Sequence, residues 1–255
     1  MALELDEDAV RARLRPLIAV PSFAHAMAGL VDDPVLLSIF LMGVSLGEGL
    51  GEAGVAAIGE EEIAVLMHDL RRQRLEEHGH MEGTRLVVQE LFPEHFDGDR
   101  YRYGDRLIGT DYYFAVREAN RTRLRARGRY SRLNLYLTTS FGYEIMVGLL
   151  YGAVIDALGR SSLPRALTER IAFILTVILR QEETHLGIVA QHNALLAADA
   201  RGLSSGAVAT LDRLALLAAG DYTWIAEVAV RQIVRTTAIY GEPERLRAHL
   251  TGTGA

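Results

Sequence analysis

The distribution of proline constrains this chain more than any other feature. Of six prolines, only Pro93 and Pro164 fall between residues 35 and 240. A proline in a helix interior removes a hydrogen bond and clashes with the preceding turn, so its scarcity leaves very long stretches free for helix. Apolar residues recur at three- and four-residue spacing through Val35–Ile58, Ile63–Phe92, Leu133–Leu158, Leu167–Ala198 and Val208–Ile239. The pattern predicts five long helices, with a short one near Asp6–Arg15 that Pro16 ends. Pro93–Gly109, with Asp97-Gly98-Asp99, reads as a loop, and Asp111–Arg127 as an extra helix after it. Gly159-Arg160-Ser161-Ser162 ahead of Pro164, and Gly202-Leu203-Ser204-Ser205-Gly206, read as turns. No linker or solenoid repeat interrupts the pattern, so the expectation is one all-α domain over residues 1–255.

Composition narrows the chemistry. The chain has no cysteine, which excludes disulfides, thiolate zinc sites, iron–sulfur clusters and cysteine nucleophiles. Any metal must sit on oxygen and nitrogen. All 27 basic residues are arginine, so lysine chemistry is excluded too and arginine-rich stretches carry reduced weight. A net charge of −6 gives no global reason to expect nucleic-acid binding. The acidic start, Met1 to Asp8, lacks a secretory signal, so a cytoplasmic location is the expectation. The apolar stretches Pro34–Leu46 and Ile171–Leu179 are shorter than the roughly 20 residues of a membrane span and read as core helices.

Glu77-His78-Gly79-His80 and Glu182-Glu183-Thr184-His185 each contain Glu-x-x-His. Three helical residues turn the side chain by about 300° and advance it by about 4.5 Å, so carboxylate and imidazole share a face and reach one metal. Glu144 and Glu48 stand as isolated acids in apolar helix sequence. Burying a lone carboxylate is expensive unless a cation or partner neutralises it. Ligands on antiparallel neighbours must lie level, and for Glu144 with Glu182/His185 the midpoint, about residue 164, falls near a turn. For Glu48 with Glu77/His80 it falls at about residue 63, between possible breaks at Gly59 and Asp69, so Glu52, one turn on, stays open as the alternative. Taken singly, Glu76, Glu77, Glu182 and Glu183 also read as solvated helix faces, and His80 and His185 as core histidines.

In chain order, Glu48, Glu77-x-x-His80, Glu144, Glu182-x-x-His185 resembles the ferritin-like carboxylate-bridged di-iron superfamily, over roughly Val35 to Ala198. The resemblance implies a ferritin-like four-helix bundle with a long crossover and additional helices. It implies metal ligands Glu48, Glu77, His80, Glu144, Glu182 and His185 on two iron ions, with manganese also accommodated, dioxygen as co-substrate and an external electron donor. Two features depart from the superfamily: Gly79 lies inside a motif, and Glu76 and Gln181 precede the motifs where aspartate often stands. The additions, about 93–132 and about 206–239, suit a substrate-enclosing enzyme. The expected function is an oxygen-dependent oxygenase or oxidase on a small organic substrate, by hydroxylation or N-oxygenation, similar to the N-oxygenases and tRNA hydroxylases. Iron handling by a ferroxidase and a metal-free helical interaction module are the rival readings, and a homodimer stays open. Seven arginines in Arg117–Arg132 read as a solvated face or as a site for phosphate, tRNA or an acidic carrier. Gly43, Gly47, Gly51 and Gly54 read as close packing or as room for substrate or oxygen, and Tyr143 and Tyr151 as core residues near the metals. His78, Glu183 and His192 are assigned to the surface or just behind the ligands.

Overall fold

Four of the six prolines open helical segments: Pro21, Pro34 and Pro243 begin α-helices and Pro93 a 3-10 turn. Proline fits there because its missing N–H would be unpaired anyway. The computed structural model describes residues 7–58, 67–103, 110–197 and 222–251. Among them are nine α-helices: α1 Glu7–Ile18, α2 Pro21–Asp32, α3 Pro34–Ala56, α4 Met67–Leu91, α5 Thr110–Ala126, α6 Arg132–Leu158, α7 Arg165–Ala197, α8 Tyr222–Tyr240 and α9 Pro243–Thr251. A two-stranded ribbon, Phe96–Asp97 against Arg100–Tyr101, turns at Gly98, whose φ of 60° suits glycine. The chain is all-α.

Caps fix where the central helices begin. The Asp33 carboxylate accepts from the amides of Val35 at 2.8 Å and Leu36 at 3.2 Å, and the Ser131 hydroxyl accepts from Asn134 at 2.9 Å. Helix α3 lies along α4, α6 along α7, and α4 and α7 also meet. Both α3/α4 and α6/α7 run antiparallel: Ser45 bonds to Met81 while Gly51 abuts Glu77, and Gly148 faces Leu179 where Glu144 faces Glu182. Helices α1, α2 and α8 pack together against α6, and α5 covers another side of it. Enclosed by so many neighbours, α6 is buried from Leu133 to Gly142 without interruption. That is why its sequence shows little one-sided amphipathicity.

Three expectations need correction. Pro16 does not end the first helix; α1 continues to Ile18, because only two residues follow it and buried Val10 and Leu14 anchor the rest. Apolar periodicity does not reveal α2, a twelve-residue helix with Phe23, Ala26, Met27, Leu30 and Val31 buried, nor α9. Asp69 is no break, since it lies inside α4. The expected turn at Gly202–Gly206, residue 63 and the first part of the Val208–Ile239 helix lie outside the described residues.

Two helices, α3 and α6, are long and apolar enough to cross a membrane by length and composition. Counting only uninterrupted apolar stretches missed this, because each helix carries a single buried acid, Glu48 or Glu144, within its apolar course. Within the fold, 61% of the apolar window of α3 and 56% of that of α6 is buried against other helices.

Candidate metal centre

Glu48 on α3, Glu77 and His80 on α4, Glu144 on α6, and Glu182 and His185 on α7 converge in the interior, all of them buried. They form two overlapping groups whose ligand atoms lie within 4.8 Å of one another: Glu48, Glu77, His80 and Glu182, and Glu77, Glu144, Glu182 and His185. Glu77 and Glu182 belong to both. Each half therefore has one acid of its own, one histidine and two shared acids.

Both imidazoles turn the same nitrogen inward. His80 Nδ1 lies 3.2 Å from Glu48 and 3.6 Å from Glu182, and His185 Nδ1 lies 2.7 Å from Glu182, 3.5 Å from Glu77 and 3.7 Å from Glu144. The outward nitrogens are held across the bundle. His80 Nε2 meets Gln181 Oε1 at 2.6 Å, and His185 Nε2 meets Glu76 Oε2 at 3.1 Å. The residue preceding each motif thus holds the histidine of the other motif. With the proton on Nε2, each Nδ1 lone pair faces the carboxylates, the orientation a metal ligand needs.

The acids are poorly satisfied without a cation. Burial, reinforced by Glu48, Glu182 and Glu144, raises Glu77 well above the ordinary carboxylate range, and burial with Glu144 and Glu48 does the same to Glu182. Burial pushes Glu144 up to about 8, and its Oε2 has no hydrogen-bond partner. Glu48 goes the other way: burial pulls it up, but the hydrogen bond and charge of His80 outweigh this and lower it. Burial lowers His80 and His185 while their carboxylate partners raise them, and the partners prevail. Four ionised carboxylates carry four negative charges, which two divalent cations balance. Carboxylate and imidazole donors suit iron or manganese. The donor set fits the two-metal expectation.

The remaining candidates separate cleanly. Glu52 lies outside the cluster, its carboxylate accepting from His78 Nδ1 at 3.1 Å and facing Arg74 at 3.6 Å. Because α3 and α4 are antiparallel, one turn forward on α3 meets residues further back on α4, so Glu48 pairs with His80 and Glu52 with His78. Glu183 is exposed, and the side chain of His192 lies outside the described residues. Tyr151 donates to Glu48 at 3.2 Å. Gln73, one turn before Glu77 on the same face, donates to it at 3.3 Å. Sequence reading missed Gln73, although its i, i+4 spacing to Glu77 was a usable signal.

Three of the four noted glycines make room for neighbouring side chains. A Cβ on Gly47 would collide with the Tyr143 hydroxyl, one on Gly51 would sit 2.8 Å from a Glu77 oxygen, and one on Gly54 would sit 2.9 Å from the Tyr136 ring. Gly43, the fourth, borders together with Gly47 an apolar cavity of about 60 Å3 beside Tyr143 and Tyr151. On the opposite side, Gly79 lies on the wall of a groove with His80, Gln181, Leu75 and Phe173, and a Cβ there would meet nothing within 4 Å. Compared with known proteins, the chain matches no family model, no curated protein and no solved structure.

Proposed function

We propose that this protein is an oxygen-dependent, non-haem di-iron oxygenase or oxidase of the ferritin-like type, acting on a small organic substrate by hydroxylation or N-oxygenation. The observation that carries the reading is the pair of four-residue groups sharing Glu77 and Glu182. A site for one ion needs no second histidine and no second unshared acid at the far end.

In this reading Glu48 and His80 hold one metal, Glu144 and His185 the other, and Glu77 and Glu182 lie between. A pair of ferrous ions held by these residues would supply the two electrons needed to reduce dioxygen, with an external donor to restore them. Gln181 and Glu76 fix the imidazole rings, Tyr151 restrains Glu48, and Ile145, Val147, Ile178 and Val189 help exclude water from the interior. Helices α3 and α6 serve the bundle interior, and the chain acts in the cytoplasm.

Anaerobic iron loading with metal analysis tests the reading: two irons per chain are expected. Glu144→Ala and His185→Ala should each lose most of the metal, while Glu183→Ala, on an exposed face, should keep it. A single turnover of the reduced protein with labelled oxygen and organic substrates should then incorporate label. Iron oxidised and accumulated with no organic product would favour iron handling, and absence of bound metal would favour a helical interaction module.

A further inference from the structure

A cavity of about 290 Å3 lies among the end of α3, α5 and the start of α6, lined by Gly54, Tyr113, Arg117, Tyr130, Arg132 and Tyr136 among others. Its volume is at the small end of the roughly 300–1,000 Å3 range of ligand pockets. Its inner wall stands one layer from the acids. Tyr136 and the Tyr113 hydroxyl fill the space beside Gly54, one turn after Gly51, whose own space is taken by Glu77. Both tyrosines feel the charges of Glu77 and Glu144.

The lining has a charged end and a flat one. Arg117 comes from α5 and Arg132 from the start of α6. One Arg132 nitrogen donates to the Ala57 carbonyl at 2.7 Å, which fixes the guanidinium, and Arg117 has no ion pair among the described residues. Tyr130 is steadied by Arg125, 4.8 Å from its ring centre, and Tyr113 by a 3.1 Å bond to the Leu50 carbonyl. Tyr136 is only 4% exposed, and Ser140, one turn on, is the weakly hydrogen-bonding neighbour of its hydroxyl.

We infer that this cavity binds a small aromatic carboxylic acid. Its carboxylate is held by Arg117 and Arg132, and its ring lies among Tyr113, Tyr130 and Tyr136 with the far edge toward the Glu77 and Glu144 side of the centre. Two guanidinium forks match a carboxylate, and tyrosine rings match a flat apolar body. That the bound acid is the substrate rests on the oxygenase reading; that it binds does not.

Calorimetric titration of metal-free and iron-loaded protein with benzoate tests the inference, with benzamide, hexanoate and inorganic phosphate as comparisons. Benzoate should bind at one site in both forms. Its neutral analogue benzamide should bind about tenfold or more weakly, as expected when charge-assisted hydrogen bonds are lost. Arg117→Gln and Arg132→Gln should each weaken benzoate by a similar factor and leave metal content unchanged. Arg121→Gln, at a half-buried arginine paired with Glu118 and absent from the cavity lining, should bind benzoate normally. If Arg132→Gln disturbs the end of α3, Arg117→Gln carries the test. Failure of benzoate to bind, indifference to Arg117→Gln, or equal affinity for phosphate or hexanoate would overturn the inference. Metal binding without benzoate binding defeats the pocket alone, and benzoate binding by a chain that takes up no iron on anaerobic loading defeats the di-iron reading alone.

Discussion

Glu76 and Gln181 occupy equivalent places before their motifs, yet they give the two histidines different partners: a carboxylate behind His185 and a neutral amide behind His80. A carboxylate makes the imidazole a stronger donor than an amide does, and removing such a partner costs roughly 10–100-fold in metal affinity. Glu76→Gln should therefore weaken one of two metal-binding steps by about that factor and leave the other nearly unchanged, as read by equilibrium titration. Equal weakening of both steps would show that the partner acts on the fold and not on one ligand. The same residues set a pH dependence. Glu77, Glu144 and Glu182 are raised by burial and mutual repulsion, and both histidines are raised by their acids, so the metal-free cluster holds protons near neutrality. Metals bind the deprotonated ligands, so affinity should rise with pH. The protons released should make the binding enthalpy at pH 7 differ between buffers of different ionisation heat. Glu77, His80, Glu182 and His185 were legible as one cluster because each motif puts acid and imidazole on one face, and Glu144 because it is a lone acid in apolar helix sequence. Which nitrogen points inward, and which helix supplies its outer partner, were not, because those depend on the rotation of α4 against α7.

At the level of elements, one substitution should have opposite signs at two sites. Gly51→Ala places a methyl 2.8 Å from a Glu77 oxygen, and so should displace a shared acid and lower metal content although no ligand is altered. Gly79→Ala meets nothing within 4 Å and replaces a poor helix former, so it should raise stability by roughly 0.5–1 kcal/mol. Thermal melts and metal analysis of both variants check the pair; a destabilised Gly79→Ala would mean that the groove beside His80 is less open than it is here. The long helices were readable because proline is scarce and apolar spacing persists. Helix α2 was not, because Pro21 and Pro34 stand close on either side of it and Ala24, Ala26, Ala28 and Gly29 dilute the apolar spacing. Glu48 could not be separated from Glu52 by spacing alone, since both share a face of α3. The choice came from its antiparallel register with α4.

The whole molecule carries a conflict between its stability and its centre. Four acids in the interior contribute no apolar burial, and a buried charge without a partner destabilises a fold. Glu144 shows it most clearly: it is 4% exposed, one oxygen is unpaired, and its pKa rises from 4.5 to about 8. A group raised in the folded state contributes stability below its unfolded pKa and loses it as pH rises through the folded one. The metal-free protein should therefore lose stability between about pH 4.5 and 8 on account of this residue. Glu144→Gln keeps the shape and removes the ionisation. In metal-free protein at pH 8 it should melt at least a few degrees higher than the unaltered chain, at about 2–4 °C per kcal/mol for a protein of this size, and the difference should shrink toward pH 5. With iron the order should reverse. Ligand bound only to the folded state adds about 2.7 kcal/mol at a hundredfold excess over Kd, or roughly 5–10 °C, and the variant, short of a ligand, should gain much less. Melts with and without iron at both pH values decide the matter. A Glu144→Gln protein less stable than its parent in every condition would make Glu144 a structural residue, whereas the reversal would mark an interior that gives up stability to hold two cations.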